Sequence, residues 1–377
     1  MTILTRIRIV WSGMISSLSL FDFRNYSEKK FTFSEKNVVF FGGNGRGKTN
    51  ILEAISILSM GKSWRETSPL DLISEGKNSA KIEALTADKD VYQVLIEPRK
   101  REFQKNEKKI SLKKHMGQIP TLLFVPEHLF LFSDVRRKRQ NFFDRFLSQT
   151  NSSYRETLLH CARAMKQKNT LLRQEDFEAS RDRGQMETWN EILAQDVPKI
   201  LRTRREFLKE FNPLFTQALA RISGASDLGE VKLEVCELEE ETSEGVKDFF
   251  RRHHARECAA RRCLIGPHRD DFSFFLREKP ILQTASRGEE RSVILAVLAA
   301  EKHLLKEKLG TSPILLLDDV FSELDQSRQD FLENLCNESQ IFFTTTHESH
   351  FEKFSHPVER IEIEKTIFNL QSSITNK

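Results

Sequence analysis

Eight consecutive residues constrain this chain more than any others: Gly42, Gly43, Asn44, Gly45, Arg46, Gly47, Lys48 and Thr49. They fit the pattern G-x-x-x-x-G-K-[ST], and they separate two segments of different periodicity. Residues 38–41 form an apolar run of β-branched and aromatic side chains, the pattern of a buried strand. From about Lys48 onward, Ile51, Ile55 and Leu58 recur at helical spacing. A glycine-rich turn between a strand and a helix aims backbone N–H groups inward, and the helix start adds its positive dipole end. Such a turn is built to cradle phosphates. In that setting Lys48 reaches the β- and γ-phosphates and Thr49 holds Mg2+.

A second element supports the same chemistry. Residues 314–317 are four apolar residues in a row, and two carboxylates, Asp318 and Asp319, follow them. In parallel α/β sheets, ligands sit at the carboxyl edge of the strands. Asp318 suits the outer shell of a metal ion there, and Asp319 suits the orienting or deprotonation of an attacking water. The third element is Ser286-Arg287-Gly288-Glu289-Glu290-Arg291. Its Ser-x-x-Glu spacing is a capping box that opens a helix over 286–308. The same serine hydroxyl, glycine N–H and helix dipole suit the γ-phosphate of a nucleotide held by another subunit.

Around these motifs the chain reads as α/β. Strand patterns cover 81–85, 91–97, 109–112 and 121–125, then 271–276, 314–317 and 341–345. Residues 127–222 read as helical, most clearly over 154–172 and 189–219. The organisation expected is an α/β body split between 1–125 and 255–377, with a mainly helical insertion over 126–254. At 377 residues the chain is long enough for two or three units. Its 38% hydrophobic and 30% charged residues exclude a disordered chain. No window approaches the roughly 18 uncharged apolar residues of a spanning helix, so no membrane role is expected. Ser12, Ser16, Ser17 and Ser19 dilute the apolar N-terminal run, so it does not read as a secretory leader. Five scattered cysteines, an odd number, read as thiols in a reducing cytoplasm. Cys258 and Cys263 lie five apart, off the spacing of a zinc pair.

The net charge is only +4, but it is unevenly spread. Eight basic residues crowd 99–114, and Arg136, Arg137, Lys138 and Arg139 follow. Further clusters are Arg202, Arg204 and Arg205, then Arg251, Arg252, Arg256, Arg261 and Arg262, with an acidic stretch at 230–244. Each cluster taken singly is a solvated face. Taken together they suit a phosphate-backbone partner, since every neutralised phosphate releases a counterion.

The combination of phosphate loop, Ser-x-Gly-x-x-Arg helix start, Leu315-Leu316-Leu317-Asp318-Asp319 and then Ser322-Glu323-Leu324-Asp325 resembles the ATPase head of the ABC/SMC class. Phe23-Arg24-Asn25-Tyr26 and Gly266-Pro267-His268-Arg269-Asp270-Asp271 narrow the resemblance to the RecF family of recombination mediators. The likeness runs from Met14 to about residue 347. It implies an ABC-type P-loop ATPase head with an inserted helical lobe. It also implies that residues 42–49 bind ATP, with Mg2+ near Thr49 and Asp318. Ser286, Gly288 and Glu289 stand at the signature position, closing on the ATP of the opposite subunit of an ATP-dependent homodimer, and 322–325 matches the D-loop. The family further implies DNA as partner, with RecR and RecO proteins, and a weak DNA-dependent ATPase used as a switch when recombinase is loaded at gaps.

This chain departs from the family pattern in places. Glu289 and Glu290 stand where the family commonly has Gln, so Glu289 is expected to turn back into the cap. Residues 135–144 resemble a family motif without its Gly and Pro. Gln118 and Gln140 both stand as candidates for the metal-sensing glutamine, and His347 for a switch residue or a surface histidine. The corner at 266–271 is expected to link the insertion to the ATPase body. Met14 is the expected start of translation; alternatively residues 5–9, which alternate polar and apolar, add an edge strand. An ABC transporter subunit would need a membrane partner. A RecA-like helicase would have no use for the signature helix. Asp319 discriminates a scaffold that binds ATP without turnover: if Asp319 positions no water, ATP is bound and never cleaved.

Overall fold

A computed structural model of the chain describes residues 13–65, 68–132, 135–174, 180–224, 228–346 and 357–364. The order begins with β1 (Ile15–Phe23), β2 (Tyr26–Thr32), β3 (Asn37–Phe41), α1 (Lys48–Met60), β4 (Ala80–Thr86) and β5 (Val91–Ile96). Next come β6 (Arg101–Lys105), β7 (Lys108–Ile110), the one-turn α2 (Leu112–His115) and β8 (Thr121–Phe124). A helical stretch follows, with α3 (Arg136–Thr150), α4 (Ser152–Leu172) and α5 (Ser180–Ser223), then β9 (Gly229–Glu234) and α6 (Ser243–Ala260). After β10 (Asp271–Leu276), β11 (Lys279–Pro280) and the short α7 (Ile281–Thr284) runs the long α8 (Arg287–Leu309). The described elements end with β12 (Ile314–Asp318), α9 (Gln326–Cys336), β13 (Ile341–Thr345) and β14 (Val358–Glu362).

These elements form two compact units. One comprises Met1–Pro126 with Leu305–Lys377, the other Glu127–Leu304. The first boundary lies one residue from the expected one. The second lies inside α8, fifty residues beyond the expected 254, and strand pairing explains the difference. β10 is antiparallel to β9, with Phe272 opposite Leu233 and Phe274 opposite Val231, so both strands belong to the second unit.

In the first unit α1 lies between two sheets. One is antiparallel, in the order β2-β1-β4-β5-β6-β7; the other, β14-β3-β13-β12-β8, is parallel throughout. Every α1 side chain from Ile51 to Met60 is buried, as a helix covered on both faces requires. Ile51, Ile55 and Leu58 join Leu20, Ile82 and Val94 of one sheet and Val38, Leu316 and Phe342 of the other in a single core. Gln340 ties β1 to this body, donating to the Ile15 carbonyl at 2.7 Å and accepting from its N–H at 2.8 Å. The parallel register sets where the strands end. Phe41 pairs with Thr345 and Asp318 with Thr344, so the ends of β3, β13 and β12 lie level at one sheet edge.

The second unit packs α3–α6 with the three-stranded sheet β11-β10-β9. Phe143, Phe207, Phe211 and Phe272 meet there at ring separations of 4.5–5.6 Å.

Candidate functional site

Gly42 ends β3 with φ 138°, and Gly45 and Gly47 also adopt positive φ. At Gly47 a Cβ would fall 2.5 Å from Asn25 Nδ2 and 2.9 Å from the Tyr26 hydroxyl, so only glycine fits. Those neighbours explain the Phe-Arg-Asn-Tyr segment. Asn25 Nδ2 donates to the Arg46 carbonyl at 3.2 Å and the Tyr26 hydroxyl to the Gly47 carbonyl at 3.2 Å, so the β1–β2 turn props the glycine-rich loop from behind. Lys48 begins α1, and its ammonium donates to the carbonyls of Gly42 at 2.6 Å and Gly43 at 3.0 Å. Burial pulls its pKa below the ordinary lysine value, against the opposing pull of Asp319 and Asp318.

The level sheet edge brings the acidic pair to this loop. Asp318 Oδ1 accepts from Thr49 Oγ1 at 2.9 Å and from Thr344 Oγ1 at 2.6 Å. Asp319 takes a left-handed conformation, φ 47°, while its N–H is held by the Thr344 hydroxyl and carbonyl at 3.0 and 3.2 Å. A cavity of about 340 Å³ lies over these groups, lined by Gly47, Lys48, Thr49, Asp318, Asp319 and Arg65. The phosphate loop and both carboxylates are thus brought together, 269 residues apart in sequence. Arg65 was not among the residues that sequence reasoning singled out. It belongs to no spaced motif, and only the tertiary fold places it there.

The fit to Mg2+ can be judged from the donors. A hydroxyl and a carboxylate 2.9 Å apart are hard oxygen ligands of the type Mg2+ takes when phosphates and waters complete its shell. Among the described residues no group of three or more His, Cys, Asp and Glu could cage a metal unaided. Thr49 and Asp318 therefore suit a metal that arrives with its nucleotide.

Ser286, Gly288 and Glu289 lie in the second unit. Ser286 is exposed, and the capping box is formed: the Glu289 carboxylate accepts from the Ser286 N–H at 2.8 Å while the Glu289 N–H meets Ser286 Oγ at 3.3 Å. Arg277 pairs with Glu289 at 3.1 Å. The cap bonds, first among the causes, lower the Glu289 pKa. Its charge is turned into the cap.

Neither glutamine candidate lines the cavity. Gln118 is an exposed residue that accepts a long 3.4 Å bond from Tyr92. Gln140 is buried in the second unit, donating to the Pro267 and Asp270 carbonyls. His347 lies outside the described residues. The corner at 266–271 also differs from its expected role. Arg204 bonds Asp270 and Asp144, both at 2.9 Å, and Arg139 pairs with Asp271 at 2.6 Å. All these partners belong to the second unit, so the corner fastens α3 and α5 to β10 within that unit.

Several residues of the basic clusters are met by acids. Arg205 pairs with Glu241, Arg252 with Glu239 and Arg256 with Glu237, so the acidic stretch neutralises two of them directly. In the 99–114 run, Lys100 and Lys109 share Glu102, and Lys105 pairs with Asp90.

A family model described as the RecF/RecN/SMC N terminal domain matches residues 14–368. A DNA replication and repair protein RecF from Ruminiclostridium cellulolyticum is 31% identical over 357 residues, 90% of this chain and 94% of that protein. The chain belongs to the RecF family. A second RecF protein, from Limosilactobacillus reuteri, is 31% identical over 97% of this chain and 99% of its own length. Among solved structures, the recombination mediator protein RecF with ATP, from the RecFOR pathway, superposes with a TM-score of 0.82. It is 25% identical over 91% of this chain and 94% of that one. The fold is accordingly the α/β ATPase head shared by the RecF and SMC proteins. Among the described residues no helix is long and apolar enough to cross a membrane.

Proposed function

We propose that this chain is a cytoplasmic, ATP-driven recombination mediator of DNA replication and repair. The observation that carries the reading is the phosphate loop 42–49 set against Asp318 and Asp319 at one sheet edge, with Thr49 already hydrogen-bonded to Asp318. Family membership supports ATP as the nucleotide and DNA repair as the setting. ATP lies along the loop, with backbone N–H groups and Lys48 on its phosphates. Thr49 and Asp318 would hold Mg2+, which would supply positive charge against the phosphate oxygens. Asp319 accepts a proton from a water whose oxygen attacks the γ-phosphorus, and the bond to the β–γ bridging oxygen breaks to release ADP and phosphate.

The exposed Ser286 and the start of α8 complete the site of a second copy, so that ATP binding joins two chains and the joined pair clamps duplex or gapped DNA. Slow hydrolysis separates them, and binding rather than cleavage supplies the driving force. RecR and RecO proteins are the partners this reading adds, for the loading of recombinase at gaps.

Titration calorimetry with a turnover assay tests the site. Lys48→Ala should weaken ATP binding by about tenfold or more, the value of a charge-assisted bond. Asp319→Asn should bind ATP as the wild type does and lose a factor of roughly 10² or more in turnover, the contribution of a positioned base. Equal turnover in Asp319→Asn and wild type would place the base elsewhere.

A further inference from the structure

Glu53 is the only carboxylate in α1, five residues beyond Lys48, and it is fully buried. A carboxylate in that position must be matched, or it would not remain in the core. Arg24 matches it with a two-pronged contact, Nη2 to Oε1 at 2.7 Å and Nε to Oε2 at 2.9 Å. Two further groups converge on the same carboxylate. Ser63 Oγ donates to Oε1 at 2.5 Å, and Arg65 Nη1 reaches Oε2 at 3.4 Å. While it donates its hydrogen bond to Glu53, the Ser63 hydroxyl accepts one from the Arg65 backbone N–H at 2.9 Å. The main chain and the side chain of Arg65 are therefore both tied to Glu53.

The tie continues to the phosphate loop. Arg65 Nη1 donates to Asn50 Oδ1 at 2.9 Å, Asn50 Nδ2 to Asn25 Oδ1 at 2.8 Å, and Asn25 Nδ2 to the Arg46 carbonyl at 3.2 Å. Charge counting shows what this arrangement leaves over. Arg24 neutralises Glu53 through its two short bonds, so the positive charge of Arg65 is surplus. Its contact with Glu53 is the longest of the four. Arg65 also lines the cavity that holds Lys48, Thr49 and Asp318, and its side chain is 30% exposed. A planar guanidinium with a fixed backbone and a surplus charge, at the rim of a phosphate site, is preorganised to grip an anion.

We propose that Glu53 and Ser63 are positioning residues of the nucleotide site, acting through Arg65, which they present to the bound phosphates. Arg65 is the group that touches the nucleotide; Glu53 fixes its side chain and, through the Ser63 hydroxyl, its backbone. Arg24 matches the Glu53 carboxylate with both prongs, so the Phe-Arg-Asn-Tyr segment serves this cluster with Arg24 and the loop with Asn25 and Tyr26. This inference rests on residues 42–49 being the ATP site.

A double-mutant cycle on the full chain, read by calorimetric titration with ATP and Mg2+, tests it. Ser63→Ala should raise the Kd for ATP roughly three- to tenfold, and Arg65→Ala at least as much. The double variant should bind no more weakly than Arg65→Ala alone, because Ser63 acts only through Arg65. Ser63→Thr, which keeps the hydroxyl, should restore wild-type affinity. Independent, multiplying losses in the double variant would overturn the proposal. So would a Ser63→Ala protein that melts lower but binds ATP unchanged. If wild type and Lys48→Ala bind ATP alike, the phosphate-loop reading itself fails, and this inference falls with it.

Discussion

Lys48, Asp318 and Asp319 were legible in the sequence because backbone chemistry ties them to fixed spacings. A phosphate loop needs its lysine directly after the last glycine, and a sheet edge needs its carboxylates directly after the apolar run. Arg65 and Glu53 carry no such signal, since their meaning comes from contacts across the fold. Glu301 is a third residue of this kind. It sits among the buried apolar side chains of α8 at 3% exposure, and its Oε1 is buried with no hydrogen-bond partner. Burial raises its pKa well above the ordinary carboxyl value, and Arg145 opposes that shift only in part. The raised pKa fixes the sign of the pH dependence. Between the unfolded and folded pKa values the unfolded chain has released a proton that the folded one keeps. Stability therefore declines as pH rises through that interval. Relative to wild type, Glu301→Gln should leave stability nearly unchanged at about pH 4, the ordinary carboxyl range, and raise the Tm increasingly toward neutral pH. Melting curves of the two proteins across this range check it; a constant difference in Tm would mean that Glu301 is ionised throughout.

Among the elements, the long helices and the parallel strands stood out most clearly. The helical pattern read over 154–172 lies within α4 (Ser152–Leu172), and the one read over 286–308 is α8 shifted by one residue. Strand β9 was hidden because its charges drew the eye to composition. Residues 230–234 alternate Glu-Val-Lys-Leu-Glu, with Val231 and Leu233 turned into the core, yet they read as part of an acidic stretch. Helix α6 was masked by its basic residues, several of which pair with that same stretch. The Gly-Pro-His-Arg-Asp-Asp segment was recognisable, but its job was not, because its cation comes from α5. Arg204 is fully buried between Asp144 and Asp270 and stacks on Phe272 at 5.3 Å. Removing one partner of a buried charge cluster leaves the others uncompensated. Arg204→Met should therefore cost about 3–5 kcal/mol in urea unfolding. A loss below about 1 kcal/mol, the level of a surface ion pair, would show that the cluster adds little.

At the scale of the whole molecule, the motifs that the proposed ATP site draws on divide between the two units. The phosphate loop, Asp318 and Asp319 belong to the first, and Ser286, Gly288 and Glu289 to the second. The capping box satisfies the start of α8 internally: Glu289 is spent on the helix, and the exposed Ser286 donates its N–H and its hydroxyl to the Glu289 carboxylate. The basic clusters gave the sequence-level argument for DNA, but many of those residues pair with nearby acids. Summed charge is therefore a weaker guide to the DNA face than the clusters alone suggest. The central claim is that ATP joins two copies through the signature helix. Size-exclusion chromatography with light scattering, with and without ATP and Mg2+, tests it most directly. The wild type should run at its single-chain mass of 43.9 kDa without nucleotide and at twice that mass with it, while Ser286→Arg binds ATP and stays at 43.9 kDa. A wild type that keeps its single-chain mass at saturating ATP, or a Ser286→Arg protein that doubles as the wild type does, would contradict the account.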